Sequence, residues 1–273
     1  MSLNYVIHKV MSDFRLEKVS FSYKDSETLV LDDISIDVDA GEFVCVLGKS
    51  GCGKSTLLKL LAGLNFPTKG TIYFEDSEVK SASLNRSVVF QDYGLFPWMT
   101  AGENILLALK ERYKDKSRQE LKKIAIDSLR KVGLDDKVYN TLPKHLSGGM
   151  QQRVAIAQAI SVDPKVLLMD EPFGALDAVT RLKLQELLLF LWKESEIKKT
   201  VIFITHDVDE AIYLANRIIV LGQSPSKIIY DKKVDNNIKV TRENQFSDSK
   251  IIELRNELIS IINNDVNQKA INK

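Results

Sequence analysis

The 273 residues allow one large or two small domains, and a hydrophobic content of 44% is enough to build a real core. Lys plus Arg (38) against Asp plus Glu (37) leaves a net charge of +1, which removes any global electrostatic reason to invoke nucleic acid or an anionic membrane surface. The two cysteines lack metal-ligand spacing and fit a reducing compartment. The N-terminal Met-Ser-Leu-Asn-Tyr-Val-Ile-His-Lys has no leader pattern, and no apolar run is long enough to span a bilayer, so neither secretion nor a membrane span is expected.

In chain order, Phe14 to Tyr23 and Leu29 to Val38 alternate apolar and polar residues and predict antiparallel strands turning at Lys24 to Glu27, with Gly70 to Phe74 joining them. Tyr23 ends the first strand. It reads either as a core aromatic or as a ring that stacks on a nucleotide base.

Glu42 to Leu47 reads as a buried strand and Lys54 to Ala62 as a helix stopped by Gly63. Between them, Gly48-Lys49-Ser50-Gly51-Cys52-Gly53-Lys54-Ser55-Thr56 has the spacing G-x-x-x-x-G-K-S/T, in which small residues let backbone N–H groups turn inward around phosphate oxygens. The phosphate would sit at a helix N-terminus, where unpaired N–H groups and the helix dipole favour negative charge. Gly48, Ser50, Gly51, Cys52, Gly53, Lys54, Ser55 and Thr56 are the candidate contacts. A Gly-rich turn without a ligand is the bland alternative. Cys45 lies in the strand, and Cys52 reads as a small filler of a loop position rather than a redox sensor.

Ser87 starts a short strand that ends at Gln91, a polar residue where α/β sheets place ligand-contacting groups. Leu95-Phe96-Pro97-Trp98-Met99 is unusually apolar for a loop, and either folds back on the core or presents an aromatic anchor to a partner. Residues 102–133 and 147–161 are helical by period, with a loop between Gly133 and Pro143, so an all-helical insertion separates two halves of an α/β domain. Its last helix, expected over Gln151 to Ile160, follows Ser147-Gly148-Gly149, a second Gly-rich helix start. That start is either a second anion site or an ordinary Ser cap.

Val166 to Met169 is an apolar run ending in Asp170-Glu171, as for a buried parallel strand that delivers acids to the carboxyl edge of a sheet. One Asp suffices to help hold a Mg²⁺ near phosphates, and the adjacent Glu171 is then free to polarise water. Val201 to Thr205 is another buried strand, and His206 follows it, placed to donate to a phosphate; His8 and His145 read as solvated or capping residues. Ile218 to Leu221 and Lys227 to Tyr230 are the last predicted strands. Ile251, Ile252, Leu254, Leu258, Ile259, Ile261 and Ile262 mark one face of a terminal helix expected to pack on its own domain.

Taken together, six motifs resemble the ATP-binding cassette family. They are Gly48 to Thr56, Gln91, Leu146 to Gln151, Asp170-Glu171, Ala175-Leu176-Asp177 and His206, and the resemblance covers roughly residues 14–230. It implies an α/β fold: a P-loop NTPase core with a mainly parallel sheet, an N-terminal antiparallel β subdomain and an inserted α-helical subdomain at about residues 92–163. The ATPase domain would occupy 12–240 and a tail with an amphipathic helix 241–273.

The resemblance further implies that Tyr23 stacks on adenine and Lys54 contacts the β- and γ-phosphates, while Ser55, Gln91 and Asp170 organise Mg²⁺. Glu171 would be the catalytic carboxylate and His206 a sensor of the γ-phosphate. Ser147, Gly148 and Gly149 would close the ATP site of a second copy in a head-to-tail homodimer. Permease subunits would dock near Gln91 to Trp98, an extracytoplasmic solute-binding protein would act through them, and the chain would sit peripherally on the cytoplasmic face of the membrane.

Within the family, the sequences around Gln91, Ser147, Glu171 and His206 look like importers of nitrate, sulfonates, taurine and related small solutes. Lys49, Met150 and Gln158 depart from the usual residues, and none removes a catalytic group. A soluble cassette ATPase acting on nucleic acid or ribosomes is the alternative, but it predicts paired cassettes in one chain or long coiled-coil inserts and basic patches; a P-loop kinase would leave the signature, Leu146 to Gln151, and His206 without a role.

Overall fold

Alternation builds the first layer of this computed structural model, which describes residues 12–24, 28–194, 198–235 and 240–271. Strands β1 (Ser12–Ser22) and β2 (Leu29–Asp39) pair antiparallel and point Phe14, Leu16, Val19 and Phe21, with Leu31, Ile34, Ile36 and Val38, into the interior. Leu16 and Val19 are three residues apart and would face opposite sides of a regular strand. An irregularity between them, with Lys18 at φ +49°, restores both to the same face. The turn expected at Lys24 to Glu27 lies mostly outside the described residues, as does His8.

Next come β3 (Phe43–Leu47), α1 (Lys54–Ala62), β4 (Lys69–Phe74), the short β5 (Ser77–Glu78) and β6 (Arg86–Val89). β4 pairs with β1, closing a four-stranded antiparallel sheet of order β2-β1-β4-β5. Helices α2 (Ala101–Arg112), α3 (Arg118–Lys131) and α4 (Gly148–Ser161) follow.

The single helical run expected over 102–133 is in fact two helices. Periodicity continues on both sides of the break, but Ser117 accepts the Glu120 N–H while the Glu120 carboxylate accepts the Ser117 N–H. This capping box starts a new helix. The loop expected between Gly133 and Pro143 contains a 3₁₀ turn at Asp136–Asn140, capped by Asp135. The helix expected from Gln151 starts three residues earlier, at Gly148.

Strands β7 (Val166–Asp170), β8 (Thr200–Ile204), β9 (Arg217–Leu221) and β10 (Ile228–Lys233) alternate with α5 (Ala178–Lys193) and α6 (Val208–Leu214), and α7 (Ser249–Ile271) ends the described chain. The second sheet has the order β10-β9-β3-β8-β7-β6, parallel except for β10. Its inner strands β3, β7, β8 and β9 are buried on both faces, which explains their largely apolar runs.

Successive side chains divide between two cores. Phe43, Cys45, Leu47, Leu167, Met169 and Phe203 pack with α2 to α7, whereas Val44, Val46, Leu168, Ile202 and Ile204 pack with α1 and the antiparallel sheet. Among the described residues no helix is long and apolar enough to cross a membrane.

Candidate functional site

Strand order decides what meets at the site. β3, β8, β7 and β6 are consecutive neighbours and parallel, so their carboxyl ends bring together residues far apart in the chain: the loop from Gly48, then His206, Asp170-Glu171 and Gln91.

Gly53 caps α1 in the left-handed conformation, φ +98°, without a side-chain hydrogen bond, and no acid sits in the first turn. A Cβ there would lie 2.9 Å from Leu31 Cδ2 and 3.0 Å from Val30 Cγ1, so only glycine fits both the backbone and the packing. The first N–H groups of the helix therefore remain available to an anion.

Lys54 is 4% exposed, and its ammonium donates to the Gly48 carbonyl at 2.8 Å and the Lys49 carbonyl at 3.2 Å. It also lies 3.5 Å from Glu171 Oε1. Ser55 donates its hydroxyl to Asp170 Oδ1 at 2.9 Å, and Thr56 Oγ1 is 3.1 Å from the Tyr23 hydroxyl.

Tyr23 is 47% exposed and meets Phe21 edge-on at 4.9 Å, so it is not a core aromatic. Ser50 is exposed, and Gly51 turns the loop at φ +81°. Cys52 is buried. Its backbone carbonyl accepts the Ser226 hydroxyl, and burial pushes its thiol up, as it does that of Cys45. Both are packing residues, matching the filler reading of Cys52.

Glu171 has φ +42°, a sparsely populated conformation for a residue with a Cβ that costs on the order of 1–3 kcal/mol. Its N–H donates to the Ile204 carbonyl at 3.1 Å, tying it to β8, and its Oε2 lies 3.0 Å from His206 Nδ1. The carboxylate thus bridges the buried Lys54 and the half-exposed His206. Gln91 is near: a Cβ built on Gly174 would be 3.9 Å from Gln91 Nε2 and 4.0 Å from Glu171 Oε2.

Asp170 is buried, and burial pushes its carboxyl up, against the lowering effect of the Ser55 hydrogen bond. A buried carboxylate beside a hydroxyl is a hard-oxygen pair whose charge a divalent cation would compensate. Mg²⁺ keeps several waters and takes few protein ligands, so the Asp170 carboxylate and the Ser55 hydroxyl fit the protein's share of such a site.

Ser147, Gly148 and Gly149 lie elsewhere. Ser147 caps α4 by accepting the Met150 N–H at 3.3 Å, so the cap expected there is present. Cβ atoms on Gly148 and Gly149 would meet Tyr93 Oη at 3.1 Å and Thr180 Cγ2 at 2.5 Å. Among the described residues no hydrogen bond or ion pair links this start to residues 48–56.

The apolar loop divides its residues. Leu95 and Met99 are partly covered, while Phe96 and Trp98 are 42% and 70% exposed, with ring centroids 5.3 Å apart. Beneath them the fully buried Asn104 accepts the Phe96 N–H at 2.7 Å and donates to the carbonyls of Phe96 and Met99, fixing the turn.

Sequence reasoning missed α6 and its cap. Asp207 accepts the N–H groups of Asp209 and Glu210, and the signal was present as Asp followed by two acids. The tail's polar contacts with α6 left no such signal.

Comparison with known proteins adds the following. The model of the ABC transporter family matches residues 31–174. The aliphatic sulfonates import ATP-binding protein of Bacillus cereus is 46% identical over 225 residues, covering 81% of this chain and 84% of the relative. The nitrate import ATP-binding protein of Synechococcus elongatus is 42% identical over 235 residues, 86% of this chain and 85% of the relative. An ATP-binding cassette solved as a dimer in a post-hydrolysis state with ADP and phosphate superposes with a TM-score of 0.71 at 34% identity, covering 81% of this chain and 98% of that one.

Proposed function

This chain belongs to the ABC transporter family, and from that premise we propose how its residues divide the work of an importer's ATP-hydrolysing subunit. The observation that carries the proposal is Glu171, held 3.5 Å from Lys54 and 3.0 Å from His206 at one sheet edge.

Tyr23 stacks on adenine. The N–H groups of Gly48 to Thr56 cradle the phosphates, and Lys54 moves from loop carbonyls to the β- and γ-phosphate oxygens, a charge-assisted exchange. Ser55, Gln91 and Asp170 would hold Mg²⁺, which when bound would supply charge neutralisation at the phosphates. Glu171 orients and polarises the attacking water. His206 donates to the γ-phosphate and holds Glu171 by its Nδ1 side. Little covalent help is needed, because phosphoryl transfer is accelerated mainly by positioning and charge stabilisation.

Among the described residues Ser147, Gly148 and Gly149 make no hydrogen bond to the loop of their own chain, and a second copy packed head to tail brings them to the phosphates. Residues 12–240 form the ATPase unit, with the helical insertion at about 92–163, and 241–273 form its tail. Trp98 and Phe96 present the permease contact on the cytoplasmic side, with a solute-binding protein acting across the membrane. The sulfonate and nitrate import relatives support a small oxyanion-type solute.

The test is ATP hydrolysis by the purified chain and by Glu171→Gln. Wild type turns over ATP, and the variant loses about 10²–10⁴-fold in kcat while still binding ATP. Full activity of the variant overturns the role of Glu171.

A further inference from the structure

His206 stands on a short loop, and its side chain is 58% exposed. Its bond to Glu171 therefore depends on where the backbone of 205–209 is held. That backbone leads into α6, a helix of seven residues, too short to be stable without packing. It packs on β3 from one side and against the tail helix α7 from another.

Three tail residues grip α6 directly. Arg255 of α7 pairs through Nε with Oδ1 of Asp209, in the first turn of α6, and donates from Nη2 to the Gln245 carbonyl at 2.9 Å. Gln245, 3% exposed, donates to the Asp209 carbonyl at 3.3 Å. Thus both the carboxylate and the carbonyl of Asp209 are held from the tail. The Arg255 guanidinium is itself placed over the Phe246 ring, 4.9 Å from its centroid, and Arg242 covers the Tyr213 ring of α6 at 3.5 Å. Ile251 and Leu258 anchor α7 in the main core.

The same helix closes a cavity of about 470 Å³ against the phosphate site. Gly48 and Ser50 line one side, His206 and Val208 another, and Ile259 and Ile262 of α7 the third. Farther along, Asp265 accepts the Gln223 N–H at 2.9 Å, fixing α7 to the loop after β9. The tail therefore spans the loop before α6 and the strand end beside Gly48.

We propose that Arg255 is a positioning residue for ATP hydrolysis: by holding Asp209 it fixes the start of α6 and so keeps His206 against Glu171. Arg255 touches neither nucleotide nor water. Its influence passes through three backbone units, from Asp209 to His206. The inference rests on the ATPase reading above, and it assigns to the tail a share in the chemical step.

The experiment compares full-length wild type, Arg255→Ala, Arg255→Lys, Asp209→Ala and the double alanine variant, with Glu171→Gln as control. Rates are expressed per bound ATP, so that misfolded protein does not count. Displacing a catalytic group by a fraction of an ångström is costly, so kcat of Arg255→Ala falls about tenfold while KM for ATP stays within about twofold. Arg255→Lys recovers at least half of the rate, and the double variant is no slower than either single one, because both remove one interaction.

An unchanged kcat, additive losses in the double variant, or a rise in KM matching the fall in kcat would each overturn the inference. If wild type itself fails to hydrolyse ATP, the ATPase reading falls. If wild type hydrolyses, Glu171→Gln does not, and Arg255→Ala matches wild type, only the role of Arg255 falls.

Discussion

The two Gly-rich helix starts of this chain are alike in sequence and opposite in wiring. At α1 the cap is Gly53, which offers no side chain, and the helix N–H groups are left for a ligand. At α4 the cap is Ser147, which is exposed and already serves the Met150 N–H. The first is an open helix start set beside the carboxyl edge of the sheet. The second is a stable cap that presents Gly148 and Gly149 to whatever packs against it. A glycine-rich helix start thus works within its own chain only when a cation and carboxylates stand beside it, as Lys54, Asp170 and Glu171 do at α1.

Breaking the first start has the largest effect. Lys54→Ala removes the buried cation shared by the loop and Glu171, and nucleotide affinity measured by equilibrium binding falls about 100-fold. The second start is expected to act in trans, and mixing variants checks it. Ser147→Arg and Glu171→Gln are each inactive alone. A random mixture of the two recovers about a quarter of wild-type activity, because half of the dimers hold one site with both groups intact. No recovery would place the signature in its own chain's site.

Substitutions at the caps sharpen the contrast with smaller effects. Serine is ordinarily a good cap, yet Gly53→Ser destabilises by about 1–2 kcal/mol or more, since its Cβ needs φ +98° and meets Leu31 and Val30. Thermal or denaturant melting reads the difference. Ser147→Ala, by the same measurement, costs about 1 kcal/mol as a lost N-cap, and a stability change near zero would mean that the cap does not hold α4.

Much of this was legible. β3, α1, β7 and β8 were readable because unbroken apolar runs and a helix stop at Gly63 are local signals, and Asp170, Glu171 and His206 were readable because each directly follows such a run. The break at 113–117 was not, since helical spacing runs close up to it on both sides while the capping box of Ser117 and Glu120 decides the matter locally. The ion pair of Lys54 with Glu171 was hidden for a different reason: it depends on β8 lying between β3 and β7, and strand order is not written in any one segment. The tail's hold on Asp209 was equally invisible, because Arg255 and Gln245 look like ordinary surface polar residues in the sequence.

That position of β8 has a consequence for how the chain is made. Residues 43–47 and 166–170 border the same gap, and only Thr200–Ile204 fills it. Early and late pieces must wait for one another, so a chain growing from the ribosome carries its phosphate loop long before it carries a nucleotide pocket. Pairing across such sequence distances is slow and leaves unsatisfied strand edges in the meantime. For this molecule the vulnerable interval in synthesis lies between the completion of β7 and the arrival of β8.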